Sequence, residues 1–236
     1  GDFRALSVER CGLWGRWGQL ELQNVLRVDL ENRAVLEGAD LVASLDLEQQ
    51  DWIPAKGRLE GAVSVGPDQA DGLDLSFDLK GTDLSYGEHE ADGVQLVGEV
   101  QGSVITLERL QLDLLEETEA ERIAITGVAD WVARTMDLSY EVALGAEWLN
   151  ELVRETYFAD ALRAKGRVFG HFDAPELEGQ VEPVTLNHPL LHPVTVSGEL
   201  RSLSAGAIDV DLIAQCEGAE VLLDVAAQHR DDVCSV

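Results

Sequence analysis

The feature of this sequence that most constrains its fold is the repeated alternation of apolar with polar or charged residues. In residues 73–80 every second side chain is apolar, and the residues between them are Asp74, Ser76, Asp78 and Lys80. A period of two is that of a β-strand with one buried face and one solvated face. The same alternation recurs in residues 26–31, 41–47, 136–144 and 208–212. Many such segments separated by turn residues predict an all-β fold.

One segment departs from this period. From 146 to 164 the apolar residues Trp148, Leu149, Leu152, Val153, Tyr157, Ala161 and Leu162 follow helical spacing. Gly145 precedes the segment and Gly166 follows it, as is typical of helix ends. We therefore expect one short amphipathic helix around 146–164. The chain then divides into a β-repeat segment (1–144), a helix (145–165) and a second β-repeat segment (166–236) that continues the same sheet.

A glycine pattern, G-x-[LV]-x-G, occurs three times, at 57–61, 98–102 and 166–170. Paired glycines at this spacing also occur in membrane helices, but here the flanking residues alternate with charges. We interpret them as positions of strand twist or bulge. The architecture that we expect is an elongated, curled antiparallel sheet, a β-gutter; two packed sheets would satisfy the same alternation.

The charge balance limits the partners of the chain. Lys and Arg number 17 against 45 Asp and Glu, for a formal charge of −28. Nucleic-acid binding needs clustered cations, so we expect no nucleic acid as partner. The same balance argues against electrostatic docking of the whole chain on anionic lipid. The sequence has no apolar run of about 18 residues, and we expect it to be a piece of a longer protein.

No residue cluster predicts catalysis or metal binding. His188 and His192 flank Pro189 and lack the glutamate of a zinc-binding helix, and His171 is expected on the solvent side of a strand. The many carboxylates are expected on solvated strand faces. We therefore predict no enzyme activity, no cofactor and no metal. Cys216 and Cys234 could pair with each other or remain free thiols.

Several segments resemble the AsmA-like superfamily, in particular its TamB-type envelope proteins. They are the segment GRVFGHFDAPELEG at 166–179, the strand HPVTVSGELRSL at 192–203, the short helix AEWLNELV at 146–153, and the repeat-like GLDLSFDLKGTDLSY at 72–86. The resemblance covers most of the chain and is strongest from about 130 to 225. These motifs consist of glycines and of apolar residues that alternate with polar ones.

The resemblance implies a U-shaped β-gutter in the periplasm, with an apolar groove that carries phospholipid acyl chains from inner to outer membrane for outer-membrane biogenesis. It also implies partner proteins in the two membranes and an inner-membrane anchor. The 236 residues contain neither an anchor motif nor the C-terminal domain that docks an outer-membrane partner. We therefore expect this chain to be an internal segment.

We predict that one continuous apolar track lines the groove. Its predicted lining residues are Leu73, Leu75, Phe77, Leu79, Met136, Leu138, Tyr140, Val142, Ile208, Val210 and Leu212. The same residues could instead fill a closed core in an extended β-repeat scaffold or adhesin without ligand. A carbohydrate-active enzyme is a third hypothesis, and it would need two close carboxylates beside aromatic side chains.

Overall fold

The computed structural model describes residues 4–32, 34–49, 55–67, 74–86, 89–113, 122–152, 157–188, 191–204, 207–216, 219–230 and 233–235. The protein is 79% strand and 4% helix, and its large antiparallel sheet does not close into a barrel. The predicted all-β class is confirmed. Among the described residues, no helix has the length and apolarity needed to cross a membrane.

The first part of the chain consists of short strands followed by long hairpins. These elements are β1 (Ala5–Val8), β2 (Gly12–Gly15), β3 (Gly18–Leu22), β4 (Leu26–Asp29), β5 (Ala34–Glu37), β6 (Ala39–Asp46), a 3-10 turn (Leu47–Gln49), β7 (Ala55–Val65), β8 (Asp74–Tyr86), β9 (His89–Ala91), β10 (Gly93–Gln101) and β11 (Val104–Asp113).

The second part contains the helix and the longest strands. These elements are β12 (Arg122–Asp130), β13 (Thr135–Leu144), α1 (Ala146–Leu152), β14 (Tyr157–Phe158), β15 (Leu162–His171), β16 (Ala174–His188), β17 (Leu191–Ser204), β18 (Ala207–Cys216), β19 (Ala219–Arg230) and β20 (Val233–Ser235).

The chain forms two compact units. Unit 1 comprises Gly1–Glu116 with Asp130–Val132, and unit 2 comprises Glu117–Ala129 with Ala133–Val236. This division falls at a different place from the predicted segment boundaries at 144 and 166. Strands β13 and β15, which flank the helix in sequence, pair with each other inside unit 2.

Unit 1 contains two antiparallel sheets. In the main sheet β2, β3, β6, β7, β8, β10 and β11 pair in that order, and β9 extends the end of β8. The smaller sheet has β4 between β1 and β5. Most neighbours in the main sheet are consecutive hairpins, so long-range crossovers are few.

Unit 2 is an antiparallel meander. Strands β13, β15, β16, β17, β18, β19 and β20 pair in that order, and the short β14 pairs with the far end of β16. Gly127 of β12 lies directly against the backbone of Asp137 in β13, which places β12 beside it. The predicted continuation of β pairing after the helix is thus present within this unit.

The predicted helix is correct at its start but too long. Helix α1 ends at Leu152, Tyr157 and Phe158 form β14, and β15 begins at Leu162. Tyr157 pairs with Asn187 and Leu162 pairs with Leu144 across the sheet. Tyr157 and Leu162, which helical spacing alone assigned to the helix, are therefore strand residues.

The side chain of Asn150 fixes α1 to β14. Its amide oxygen accepts a hydrogen bond from the backbone N–H of Phe158 at 2.6 Å, and its amide nitrogen donates to the carbonyl of the same residue at 3.1 Å. Leu149 on the same helix is only 4% exposed. The helix is thus held against β14, which pairs with the end of β16.

Glycine and proline mark the irregular points of the ladder. The pairing of β7 with β8 shifts register at Gly57, and the pairing of β10 with β11 shifts at Gly98. Pro183 lies inside another register shift, between Val181 and Val184. The interpretation of the repeated glycines as bulge positions is confirmed for Gly57 and Gly98. Pro175 lies near the start of β16, opposite Gly170 of β15.

Candidate functional site

The main sheet of unit 1 has one face made entirely of apolar side chains and glycine. Residues paired across an antiparallel ladder lie on the same face, so the register identifies its members. We call this surface the unit 1 apolar face; its side chains are Leu13, Leu20, Leu22, Ala39, Leu41, Ala43, Leu45, Leu59, Val63, Val65, Leu75, Phe77, Leu79, Val94, Leu96, Val100, Ile105, Leu107, Leu110 and Leu112.

The opposite face of the same sheet is polar. There the Ser64 hydroxyl donates to the Asp40 carboxylate at 2.6 Å, and the Ser44 hydroxyl donates to Glu60 at 3.1 Å. Asp78 and Lys80 on β8 are exposed. Asp40, Glu60 and Asp78 therefore lie on the face opposite the unit 1 apolar face.

The predicted lining residues of β8 lie together on the unit 1 apolar face. Leu75 and Phe77 are half-buried, and Leu79 is 6% exposed. The register places them beside Val100, Gly98 and Leu96 of β10, respectively. Leu73 falls outside the described residues. Sequence analysis found three residues of a face that extends over seven strands.

Unit 2 repeats this division into an apolar and a charged face. Its mainly apolar face, defined by register positions, consists of Met136, Leu138, Tyr140, Val142, Leu144, Leu162, Ala164, Gly166, Val168, Gly170, Pro175, Leu177, Gly179, Val181, Val184, Leu186, Val194, Val196, Gly198, Leu200, Ile208, Val210, Leu212 and Ala214, with Ser202 as a polar member opposite Ile208. We call it the unit 2 apolar face. The predicted residues of β13 and the predicted positions of β18 thus share one face of one sheet.

Most described side chains of the unit 2 apolar face are only partly covered, and Val184 is a buried exception at 3% exposure. Met136, Leu138, Tyr140 and Val142 are half-buried, whereas the alternate residues on β13 from Thr135 to Glu141 are exposed. Among the described residues, no large side chain is fully buried anywhere in the protein. A closed sandwich of this size would bury many such side chains completely.

The total exposed surface supports the same conclusion. The protein exposes 15981 Å². One compact domain of this mass would expose about 10,400 Å², and two separate compact domains of half the mass about 12,600 Å². This excess is in keeping with the partial exposure of most described side chains on the two apolar faces.

Tyr140 is the one aromatic side chain at the predicted positions of unit 2. Its ring lies across the cross-strand pair Gly166 and Gly179, so that a methyl group at Gly166 would lie 2.5 Å from its hydroxyl oxygen. The hydroxyl faces the carbonyl oxygen of Glu178 at 3.5 Å. Partial burial raises the pKa of Tyr140 above its usual value. Around Tyr140 the unit 2 apolar face is therefore apolar except for the hydroxyl group of this side chain.

Phe77 has the same arrangement in unit 1. A methyl group added at Gly98 would lie 2.8 Å from the ring carbon Cζ of Phe77. Each aromatic ring lies over a glycine of the neighbouring strand and covers backbone that would otherwise be exposed. Sequence analysis did not identify these glycines as part of the surface. Their position beside the aromatic rings depends on strand pairing, which leaves no local pattern in the sequence.

The outer face of unit 2 carries ion pairs. Arg167 pairs with Asp137 on the adjacent strand, and its guanidinium lies 5.1 Å from the ring centre of Phe169. The hydrogen bond from Arg167 lowers the pKa of the Asp137 carboxyl below its usual value. Lys165 lies 4.0 Å from Glu182. Charges of both signs thus balance one another on the solvated side of the sheet.

Among the described residues, no three His, Cys, Asp or Glu side chains lie close enough to hold a metal ion. His171 is exposed on the outer face of β15, as predicted, with Nδ1 3.3 Å from Asp173. His188 ends β16 and His192 lies in β17. These two histidines therefore lie on adjacent antiparallel strands.

The strand register decides whether Cys216 and Cys234 can form a disulfide. Cys216 lies beside Ala219 at the start of β19, and Cys234 lies beside His229 near its end. Ten residues of strand separate these positions by about 33 Å. A disulfide needs Cα atoms within about 7 Å, so Cys216 and Cys234 do not pair in this fold. Cys11 is an exposed free thiol.

Comparison of the chain with models of known protein families found no match, and comparisons with curated proteins and with solved structures also found none.

Proposed function

We propose that this chain is a non-enzymatic segment of an AsmA-like, TamB-type envelope protein whose apolar faces hold phospholipid acyl chains during transport between inner and outer membranes. The observation that supports the proposal is a register-aligned apolar face in each unit on which most of the described side chains, Phe77 and Tyr140 among them, stay partly exposed. The proposed location is the periplasm, and the proposed further partners are membrane proteins contacted through segments outside these residues.

The energetics favour an apolar ligand despite the acidic composition. Burying an acyl chain of about sixteen carbons is worth on the order of 12 kcal/mol, at about 0.8 kcal/mol per methylene. A solvated carboxylate several ångströms from a lipid phosphate repels it by about 1 kcal/mol or less, and salt screens this repulsion. Asp78, Lys80, Asp137 and Glu141 lie on the faces opposite the apolar ones. The free energy gained by burying an acyl chain therefore exceeds the repulsion between carboxylates and the lipid phosphate.

The first experiment is mass spectrometry of an organic extract from the purified chain. A globular protein of similar acidity, purified in the same way, is the control. Stoichiometric phospholipid in the extract of the chain alone would support the proposal. A folded, monodisperse sample without lipid would contradict it and favour the closed-core scaffold.

Two substitutions on β8 sharpen this test. Phe77→Asp places a charge on the unit 1 apolar face, and Ser76→Asp places the same charge on the exposed face one residue away. For an open face we expect Phe77→Asp to stay folded by circular dichroism and to lose bound lipid, while Ser76→Asp keeps both. In a closed core the unpaired charge would unfold the chain, because burying it without a partner is costly.

A further inference from the structure

The two apolar faces differ in the hydroxyl groups that they carry. On the unit 1 apolar face Phe77 lies over Gly98, and the register positions of that face hold no polar side chain. On the unit 2 apolar face Tyr140 lies over Gly166 and Gly179 and adds a phenol hydroxyl to the same arrangement. Along the described strands, a ligand that covers both faces therefore meets such a hydroxyl in unit 2 only.

The hydroxyl of Tyr140 lacks a strong hydrogen-bond partner among the described residues. Its distance of 3.5 Å from the Glu178 carbonyl oxygen exceeds the usual range of about 2.5–3.0 Å for an O–H···O bond. That carbonyl also belongs to the ladder, in which Glu178 pairs with Arg167. Ser202, the other hydroxyl of this face, accepts a bond from the backbone N–H of Leu177 at 2.8 Å. Tyr140 therefore has the freer of the two hydroxyls for bonding to a ligand.

Covering the unit 2 apolar face changes the surroundings of this hydroxyl. Tyr140 is half-buried in the open face, so water reaches it. An acyl chain laid over it removes that water, and a buried donor without an acceptor weakens binding. The acceptor that a ligand supplies there has to be uncharged, because the flanking register positions Leu138, Val142 and Val168 offer no countercharge. Partial burial raises the pKa of Tyr140, which keeps the phenol protonated and able to donate at neutral pH.

We propose that Tyr140 determines which lipids the unit 2 apolar face prefers, by donating a hydrogen bond to an ester carbonyl oxygen at the head of an acyl chain. This inference rests on the proposed function and specifies its substrate class: acyl esters are preferred to lipids whose chains lack a carbonyl. The unit 1 apolar face, with Phe77 at the corresponding place, holds both kinds of chain equally. Because the ester joins the chain to the glycerol backbone, the bond also fixes where on the unit 2 apolar face the chain begins.

The test loads the full chain from an equal mixture of dipalmitoyl phosphatidylcholine and its ether analogue dihexadecyl phosphatidylcholine, which lacks both carbonyls. Mass spectrometry of the extract gives the ratio retained. A buried donor without a partner weakens binding about fivefold or more, so with equal capacity on the two faces the native chain should retain the ester about twofold over the ether. In Tyr140→Phe the two lipids should be retained equally, with the circular dichroism unchanged, because the phenylalanine ring still covers the glycine pair.

Phe77→Tyr is the matched variant, because it adds the same hydroxyl to the corresponding ring of unit 1. It should raise the preference for the ester above that of the native chain. Equal retention of the two lipids by the native chain, or a ratio that either substitution leaves unchanged, would overturn the role of Tyr140 and leave the proposed function intact. Retention of neither lipid would contradict the proposed function and this inference together.

Discussion

At the scale of single residues, the same pairing of aromatic ring and glycine occurs on both apolar faces. Tyr140 covers Gly166 and Gly179 in unit 2, and Phe77 covers Gly98 in unit 1. A glycine in a strand has no side chain to pack and weakens the ladder. A ring from the neighbouring strand replaces the missing contact and keeps the face apolar over exposed backbone.

This arrangement predicts a coupling between Gly179 and Tyr140. Gly179→Ala should lower the free energy of unfolding by about 1–3 kcal/mol, because its methyl group would overlap the Tyr140 hydroxyl. In a Tyr140→Ala background the same substitution should cost much less, because only the 3.2 Å contact with the backbone carbonyl oxygen of Lys165 remains. Urea unfolding of the four proteins of this cycle measures the coupling.

Gly166→Ala is the control for this cycle. Its methyl group would also overlap the backbone carbonyl oxygen of Glu178, which removal of the Tyr140 ring does not relieve. It should therefore stay destabilising in both backgrounds. Equal costs for Gly179→Ala with and without Tyr140 would show that the ring does not rest on the glycine pair.

The ion pair on the outer face predicts a pH effect. Arg167 lowers the pKa of Asp137, so the pair stabilises the fold above the ordinary carboxyl pKa of 3.8 and this contribution is lost as the pH falls through the lower folded pKa. NMR titration of the Asp137 carboxyl should give a midpoint below 3.8, and Arg167→Gln should move it upward.

Asp29 provides the internal reference for that titration. Its pKa is also lowered, but by hydrogen bonds from Asn32 and from the backbone N–H of Glu31. Its midpoint should not change in Arg167→Gln. If the Asp137 midpoint were equally insensitive, the ion pair would not be formed in solution.

At the scale of elements, a bulge at Gly57 interrupts the regular pairing of β7 with β8. Gly57 has φ 113° and Asp83, on the facing strand, has φ 54°. A bulge raises the local twist and turns the strand, which helps a sheet to curl. Left-handed backbone is costly for residues with a side chain, so the glycine is required at one side of the bulge.

We predict that Gly57→Ala destabilises the protein by about 1–3 kcal/mol in chemical unfolding, because of the positive φ and a methyl group 2.6 Å from the Asp83 carbonyl oxygen. Gly93→Ala is the matched control, since the nearest atoms to its methyl group lie 3.8 Å away. That variant should change stability by less than about 0.5 kcal/mol. Similar losses for both would mean that Gly57 has no special conformation.

At the scale of the whole molecule, the partly covered apolar faces make stability depend on what occupies them. A ligand that binds only the folded state adds about 2.7 kcal/mol at a hundred times its dissociation constant. For a chain of this length that corresponds to a rise of about 5–10 °C in the melting temperature. We predict this difference between lipid-loaded and delipidated protein, measured by calorimetry.

Phe77→Asp is the comparison for this measurement, because its charge lies on the unit 1 apolar face. Its melting temperature should differ less between the loaded and delipidated forms. A melting temperature of the native chain that does not respond to delipidation would contradict occupancy of the faces.

Much of the fold could be predicted from the sequence, and the errors have a common cause. The alternation around Phe77 and around Tyr140 predicted both the strands and the side of the sheet on which each residue lies. The helical spacing from Trp148 to Leu162 predicted too long a helix, because Tyr157 and Leu162 pair with strands that are distant in sequence. Local periodicity depends only on residues that are close in sequence, so it does not predict pairing with distant strands.

By itself the sequence determined the period, and therefore which residues share a face: Leu75 with Leu79, and Asp137 with Glu141. That follows from the geometry of an extended chain, in which alternate side chains point to opposite sides. Only the tertiary structure decided which strands are neighbours, where Gly98 and Gly179 come under an aromatic ring, and that Cys216 and Cys234 lie at opposite ends of β19. Register is set by contacts between residues far apart in the chain, and these contacts leave no local pattern in the sequence.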